Sequence, residues 1–332
     1  MAEPQPAVLA IDGGNSKTDV ALVAADGTLL ASARGAGINA HETGIDRMAQ
    51  TLDTVIKEAA GQLGAIPPGG IAQHTVACLA NADLPEEEAE HAAALEALGW
   101  TPAVTVVNDT FAILRAGLTD AAARRWGVAV VCGAGINCVG VAPDGRVTRF
   151  LALGTTSGDW GGGYGLGRAA LWWAIRAEDG RGPETTLRET VPAHFGLPEV
   201  ADVAIAIHQG KLTVHDTRGL APVLLATASD GDQVARNLVR QQATEVCTMA
   251  LTAMRRLGLT GLKTPVVLGG GLLTARDPLL TATVVDGIAA EAPKAEVSIV
   301  DVPPIAGAVL LGLDEVGLAS SVEQKVRAAY GR

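Results

Sequence analysis

The feature that most constrains the fold of this chain is an internal repeat. Residues 8–33 and 128–151 follow one order: an apolar strand, a glycine-rich turn, a second strand, an Asp-Gly turn and a third strand. Asp-Gly between two apolar runs is a strong signal for a tight hairpin turn. A unit of this size that occurs twice predicts two related domains, each with its own sheet, facing each other across a cleft.

Strand and helix patterns alternate after the first repeat. Residues 44–63 and 85–98 have the pattern of helices, whereas residues 71–80 and 104–107 are apolar and strand-like. Hydrophobic residues make up 48% of the 332 residues, which is enough to form the cores of two domains. This order is typical of α/β domains whose parallel strands are buried between helices.

The charge of the chain argues against nucleic acid and membranes as partners. The formal net charge is −11, and a surface of that sign repels phosphate backbones and anionic lipids. The longest uncharged run, residues 127–143, is interrupted by glycines and by Asn137, so it predicts strands and a turn and not a membrane span. The N-terminus lacks the basic and apolar regions of a secretory signal, and we expect a cytoplasmic protein.

The first glycine-rich turn has the residue types of a phosphate site. Glycines let backbone N–H groups approach phosphate oxygens, an aspartate at a strand end suits Mg²⁺, and hydroxyl and ammonium groups donate to phosphate charge. The same composition also suits an ordinary hairpin turn, and both interpretations stay open for this segment alone. The cofactor-binding candidates are Asp12, Gly13, Gly14, Asn15, Ser16, Lys17 and Thr18, with Asp12 also the metal candidate.

Two further glycine clusters extend this set. The turn of the second repeat contributes Gly133, Ala134, Gly135 and Asn137, and two such turns could clamp one polyphosphate between two domains. A third cluster lies between a strand and a helix, where it either approaches a flat ligand or forms a flexible loop. Its members are Gly269, Gly270 and Gly271.

Asp109 is the candidate catalytic residue. It ends an apolar strand and precedes a helix, and ligands of open α/β sheets gather at the carboxyl ends of strands. A carboxylate there can accept the proton of an attacking hydroxyl during phosphoryl transfer. Aspartate is equally favoured as a helix N-cap, so the residue alone does not decide between the two roles.

The order of these motifs resembles the five-motif signature of the actin/hexokinase superfamily. Within it the chain is similar to the N-acetylglucosamine kinase branch, the BadF/BadG/BcrA/BcrD-type ATPase family, over about residues 7–315. The resemblance implies two actin-like, ribonuclease H-like α/β domains with mixed five-stranded sheets flanked by helices and a cleft between them. The domains would be residues 1–118, with the sugar and phosphate 1 motifs, and residues 119–332, with the phosphate 2 and adenosine motifs.

The resemblance also implies a role for each motif in an ATP-dependent sugar kinase. Asp12 would organise Mg²⁺, the two glycine-rich turns would hold the β- and γ-phosphates of ATP, and residues 269–272 would pack on adenosine. Asp109 would be the base acting on the 6-hydroxyl of an amino sugar, N-acetylglucosamine or glucosamine. The expected substrate-binding set is Asn39, His41, Asp109, Thr155 and Asp159.

One position departs from the family pattern. Gly158 and Asp159 match the start of a Gly-Asp-Glu-Gly-Ser motif, but Trp160 replaces the glutamate and a glycine replaces the serine. Trp160 could stack on a sugar face or fill a gap in the packing. The identity of the sugar is therefore open, and a kinase for another hexose is an alternative.

The sequence disfavours three other functions that related proteins have. An ATPase that activates a redox enzyme would need cysteine thiolates for an iron–sulfur cluster, and two of the four cysteines lie in apolar, strand-like runs. A sugar-responsive repressor would need a DNA-binding module, for which about seven residues before the first strand leave no room. A cytoskeletal or chaperone relative would need further subdomains. Related kinases often pair, so we expect a homodimer.

Overall fold

The computed structural model describes residues 5–63, 70–118 and 125–331. These residues form two compact units. The first takes the described residues up to Ala129 together with those from Val300 onward, and the second takes residues 130–299. Each unit contains one five-stranded sheet.

The sheet of the first unit is mixed. Its strands are β1 (Pro6–Gly13), β2 (Lys17–Ala24), β3 (Leu29–Ala36), β4 (His74–Leu79) and β5 (Val104–Asn108). Their spatial order is β3-β2-β1-β4-β5. The first three strands pair antiparallel, whereas β4 pairs parallel with both β1 and β5.

The sheet of the second unit has the corresponding order. Its strands are β6 (Gly127–Cys132), β7 (Ile136–Val141), β8 (Val147–Arg149), β9 (Pro265–Gly269) and β10 (Glu296–Ile299). The spatial order is β10-β9-β6-β7-β8. Read from β8 to β10, it matches the order of the first sheet read from β3 to β5, strand for strand. The strands β7 and β8 pair antiparallel, and β9 and β10 pair parallel. The repeat predicted from the sequence is therefore a repeat of sheet topology.

Helices flank both sheets. In chain order they are α1 (Ala40–Thr43), α2 (Ile45–Ala60), α3 (Pro85–Glu96), α4 (Asp109–Gly117), α5 (Gly162–Glu178), α6 (Leu187–Phe195), α7 (Val200–His208), α8 (Leu220–Ser229), α9 (Gln233–Leu257), α10 (Gly271–Thr274), α11 (Pro278–Glu291), α12 (Pro304–Glu315) and α13 (Ala319–Tyr330). Short 3₁₀ helices occupy Gly61–Leu63, Gly154–Ser157 and Val214–Gly219. Within the described ranges, no helix combines the length and the apolar character needed to cross a bilayer.

Two hydrophobic clusters cover the two faces of the first sheet. On one face Leu9 and Ile11 of β1 pack in a cluster with Leu52 of α2. On the other face Ala10 packs in a cluster with Val309 of α12. The alternation of side chains along β1 thus separates two helical layers, as expected for a strand that is buried on both faces.

The C-terminal segment completes the first unit. The predicted domains, residues 1–118 and 119–332, assign this segment to the second domain, whereas residues 300–332 group with the first unit because α12 and α13 cover its sheet. The predicted boundary itself adjoins residues 119–124, which lie outside the described residues. The division into two functional domains at that boundary stays a prediction.

Helix α4 is held by the C-terminal helices through a close approach and a set of ion pairs. A Cβ on Gly307 of α12 would lie 1.9 Å from the carbonyl oxygen of Ala112, so this crossing requires glycine. Arg115 of α4 bonds Glu323 of α13 with distances of 2.9 Å and 2.7 Å, and its Nε lies 2.8 Å from Asp314. Arg327 also donates to Glu323, at 2.7 Å. These contacts fix the helix that begins with Asp109.

Candidate active site

Two carboxylates lie at the carboxyl ends of two parallel strands in the first unit. Asp12 is near the end of β1, and Asp109 follows β5 directly, with β4 between the two strands. Burial and then the charges of Asp109 and Asp19 raise the pKa of Asp12 to about 7. Burial likewise raises the pKa of Asp109 to about 6, against the opposing effect of the Thr110 backbone N–H. The edge of the sheet predicted to bind a ligand therefore concentrates carboxyl groups whose burial disfavours their ionised forms.

The N-cap of α4 is Asn108 and not Asp109. The Oδ1 atom of Asn108 accepts hydrogen bonds from the backbone N–H of Thr110 at 3.1 Å and from its hydroxyl at 2.6 Å. Asn108 Nδ2 donates to Asp83 at 2.8 Å, which holds the cap in place. Since Asn108 caps the helix, Asp109 does not have the N-cap role that the sequence left open for it.

Asp19 is a site residue that the sequence analysis missed. It lies directly across the β1–β2 pair from Asp12 and across the β2–β3 pair from Arg34. Arg34 Nε and Lys17 Nζ lie 2.5 Å and 2.9 Å from its carboxylate oxygens. Although burial opposes this, the hydrogen bonds from Arg34 and Lys17 lower the pKa of Asp19. The side-chain alternation along β2 was the available signal, because it places Lys17 and Asp19 on one face.

The first glycine-rich turn is closed by its own backbone. Gly14 N donates to the Lys17 carbonyl at 2.9 Å, and Ile38 N donates to the Gly14 carbonyl at 3.0 Å. A Cβ on Gly37 would lie 2.2 Å from the Asn15 carbonyl oxygen, so the segment before Asn39 packs tightly on the turn. The predicted phosphate-binding turn and the predicted sugar-binding segment are therefore in direct contact.

The exposed and buried residues of this turn differ in what they offer a ligand. Asn15, Ser16 and Lys17 are exposed. Thr18 is fully buried, and its hydroxyl has no hydrogen-bond partner among the described residues. Because its hydroxyl is enclosed by protein, the Thr18 side chain is not positioned to contact a phosphate.

Asn39 has one side-chain atom committed to structure. It caps α1, and its Oδ1 atom accepts from the backbone N–H groups of His41 at 3.1 Å and Glu42 at 3.3 Å. Asn81 Nδ2 donates to the same oxygen at 3.3 Å. The Nδ2 group of Asn39 is thus the part of this side chain that suits a sugar hydroxyl oxygen. His41 is exposed, and its Nε2 atom lies 2.9 Å from Glu87 Oε1.

The corresponding turn of the second unit is held by the start of α5. Gly163 N donates to the Gly133 carbonyl and Tyr164 N to the Ala134 carbonyl, both at 2.9 Å. A Cβ on Gly162 would lie 2.3 Å from the Gly135 carbonyl oxygen. The turn is therefore fixed from one side by backbone contacts, which leaves little room for other residue types at Gly162.

The third glycine cluster packs on the same turn. Gly269 ends β9, and Gly270 has a positive φ of 83° before α10. A Cβ on Gly270 would lie 2.3 Å from the Cys132 carbonyl oxygen. The structure thus brings together the predicted phosphate 2 and adenosine motifs, with Gly271 exposed and Leu272 buried.

The remaining substrate candidates lie on the segment that precedes α5. Thr155 is exposed in a 3₁₀ helix. The Ser157 hydroxyl lies 2.5 Å from an oxygen of Asp159, which fixes the orientation of that carboxylate. Trp160 is partly exposed, so either proposed role remains compatible with its position.

Comparison with known proteins assigns the chain to a family. A model described as the BadF/BadG/BcrA/BcrD ATPase family matches residues 9–312. The chain belongs to this family. The match includes the glycine-rich turns, Asp109 and the glycine cluster at 269–271, and it confirms the resemblance inferred from the motifs.

Relatives of this BadF/BadG/BcrA/BcrD family member have names that refer to sugar phosphorylation. The N-acetylmuramic acid/N-acetylglucosamine kinase of Clostridium acetobutylicum is 26% identical over 268 residues, which are 80% of this chain and 85% of that protein. The N-acetyl-D-glucosamine kinase of Dictyostelium discoideum is 26% identical over 314 residues, which are 92% and 97% of the two chains.

A solved structure supports the fold. The crystal structure of a Chromobacterium violaceum protein, described provisionally as an N-acetylglucosamine kinase, is 25% identical and covers 93% of this chain and 99% of its own, with a TM-score of 0.71. The predicted class of two actin-like α/β domains with mixed five-stranded sheets is confirmed. The predicted cleft between the domains stays a prediction.

The cysteines of this family member do not suit an iron–sulfur cluster. Cys78, Cys132, Cys138 and Cys247 are all buried, and burial raises the pKa of each thiol, to about 11 for Cys247. A cluster requires thiolates that can reach one site. The structure therefore disfavours the redox-activator alternative.

Proposed function

We propose that this family member is an ATP-dependent carbohydrate kinase that transfers the γ-phosphate to the 6-hydroxyl of an amino sugar, N-acetylglucosamine or glucosamine. The observation that carries the proposal is the state of Asp109, a carboxylate at a strand end that does not cap its own helix. Its pKa of about 6 suits a group that is ionised at neutral pH and still basic. The names of the two curated relatives support the choice of sugar.

Asp109 acts in this proposal as the general base. It accepts the proton of the sugar hydroxyl as the oxygen of that hydroxyl attacks the γ-phosphorus, and the bond to the β-phosphate oxygen breaks. Asn39 orients the sugar through its Nδ2 group, because its Oδ1 atom is held by α1 and Asn81. Positioning of this kind supplies much of the rate acceleration in phosphoryl transfer.

The residues around Asp12 fit a Mg²⁺ ion that accompanies ATP. The charges of Asp109 and Asp19 both act on Asp12, and Asp19 is itself paired with Lys17 and Arg34. A divalent cation beside Asp12 would offset the burial and the repulsion that together raise its pKa. Mg²⁺ usually binds through one or two carboxylates together with phosphate oxygens, so Asp12 would hold the ion jointly with the phosphates of ATP. When bound, the ion neutralises charge on the phosphates.

The pH dependence follows from the state of the base. We expect kcat/KM for the sugar, at saturating Mg²⁺ and ATP, to fall about tenfold per pH unit below about 6 and to level off above it. The sign follows because Asp109, with a pKa of about 6, must be deprotonated to accept the hydroxyl proton. A rate profile that stays flat from pH 5 to pH 8 at constant protein stability would contradict this assignment.

A coupled assay of ADP release tests the function itself. The sugars are N-acetylglucosamine, glucosamine, N-acetylmuramic acid, glucose and N-acetylmannosamine, each assayed with and without Mg²⁺. We expect Mg²⁺-dependent ADP release that rises with the amino sugar and saturates. ADP release that is independent of every sugar in the panel would contradict the proposal.

A further inference from the structure

The predicted phosphate-binding turn of the second unit has no cation of its own. Its residues, 132–137, carry only thiol, apolar, glycine and amide side chains. The chain has a net charge of −11, and ATP brings several more negative charges. Backbone N–H groups provide partial positive charge, so a nearby arginine would add most to the binding of a polyphosphate.

Arg218 lies beside this turn. A Cβ placed on Gly163 would lie 2.8 Å from Arg218 Cγ and 3.4 Å from the Gly133 carbonyl oxygen. The stem of Arg218 and the turn therefore both lie next to Gly163. Gly163 itself donates to Gly133 O at 2.9 Å. The guanidinium carbon of Arg218 lies 5.8 Å from the centre of the Tyr164 ring, and Tyr164 N donates to the Ala134 carbonyl.

The backbone that carries Arg218 is held in place. Arg218 belongs to the 3₁₀ helix Val214–Gly219, and a Cβ on Gly167 of α5 would lie 1.8 Å from the Thr217 carbonyl oxygen. His215 Nδ1 lies 3.2 Å from the Tyr164 hydroxyl, which is a second link between the 3₁₀ helix and α5. Because α5 contacts both the 3₁₀ helix and the turn, the backbone of Arg218 has a fixed position relative to the turn. The side chain is exposed, so a ligand can reach it.

We propose that Arg218 is a nucleotide-binding residue that donates from its guanidinium to the phosphates of a nucleoside triphosphate held by the turn at Gly133–Gly135. This inference rests on the proposed function, and it adds a residue that lies outside the glycine-rich sequence motifs. Arginine suits the task because its planar group donates two parallel hydrogen bonds to phosphate oxygens. Its methylene stem packs on the start of α5 and limits the directions in which the charge can point.

The test is the substitution Arg218→Met, which keeps an unbranched stem and removes the charge. We expect the KM for ATP to rise about tenfold, with kcat and the KM for the sugar changed by less than about twofold. The dissociation constant of ATP, measured by calorimetry, is expected to rise in parallel, whereas that of adenosine is expected to stay within about twofold. Arg218→Lys should recover part of the ATP affinity, because it restores the charge without the planar fork.

The matched control is Arg181→Met. Arg181 is an exposed arginine of the same unit that pairs with the exposed Asp179. Its substitution is expected to leave ATP binding unchanged. If the Arg218→Met protein bound ATP as tightly as the Arg181→Met control, the inference would be wrong. The proposed function would still hold if the wild-type protein showed sugar-dependent activity. Equal losses of ATP and adenosine affinity would also overturn it, because they would show damage to the whole pocket. A wild-type protein without sugar-dependent turnover would overturn the proposed function first.

Discussion

Replacing Asp109 with asparagine is expected to lower kcat for sugar phosphorylation by about 10²–10⁴-fold. Asparagine has nearly the same shape but cannot accept the hydroxyl proton. The helix should be unaffected, because Asn108 and not Asp109 caps α4. Steady-state kinetics with N-acetylglucosamine measures the loss, and calorimetry with ATP should give a dissociation constant within about threefold of that of the wild type.

Asp46→Asn is the matched control for this change. Asp46 is also a carboxylate in the first turn of a helix of the same unit, but it is exposed on α2. Its substitution is expected to change kcat by less than about twofold. If the Asp109→Asn protein kept a kcat within tenfold of the wild-type value, the assignment of the base would be wrong.

Glu323→Gln is expected to reduce the free energy of unfolding by about 3–5 kcal/mol. Glu323 is 2% exposed and Arg115 is 5% exposed, so the loss of the carboxylate leaves the buried guanidinium of Arg115 and the partly buried one of Arg327 without their shared negative charge. The hydrogen bonds from Arg115 and Arg327 lower the pKa of Glu323 below 4.5 although burial opposes them. Its contribution is therefore present above the unfolded pKa and is lost as the pH falls through the folded value. Urea unfolding at pH 7, followed by circular dichroism, measures the change.

The control for this prediction is an exposed ion pair. Glu291 lies 2.8 Å from Arg255, and both side chains are more than half exposed, so Glu291→Gln should cost less than about 1 kcal/mol. Equal and small effects of the two substitutions would contradict the view that the C-terminal helices hold α4 through a buried charge network.

Since α4 begins with Asp109, we also expect kcat of the Glu323→Gln protein to fall more than its KM for ATP rises.

The repeated strand–turn–strand pattern predicted the sheets because it depends on local residue chemistry. Apolar runs, Asp-Gly turns and glycine-rich turns are local signals, and the strands β1, β2, β6 and β7 lie where those signals place them. The position of Asp109 at a strand end followed from the same reasoning. The sequence did not show which residue caps α4, because Asn108 and Asp109 are adjacent and both are suitable N-caps.

Features that depend on distant parts of the chain could not be predicted in this way. The packing of residues 300–332 on the first unit joins segments about 200 residues apart, as in the pair of Arg115 with Glu323. Arg218 stands in a polar stretch of the sequence, and its position beside the turn is seen only in the packing of its side chain against Gly163 and Tyr164. The sequence identified the glycines of the site, but not the charged side chains that other elements bring to them.

The destination of the γ-phosphate of ATP distinguishes a sugar kinase from an enzyme that only hydrolyses ATP. The protein is incubated with N-acetylglucosamine, Mg²⁺ and ATP that carries a labelled γ-phosphate, and the labelled product is identified by phosphorus and proton nuclear magnetic resonance. We expect the label to appear on the 6-oxygen of the sugar, in proportion to the ADP formed. Label found only in inorganic phosphate, at the same rate with and without each amino sugar, would contradict it.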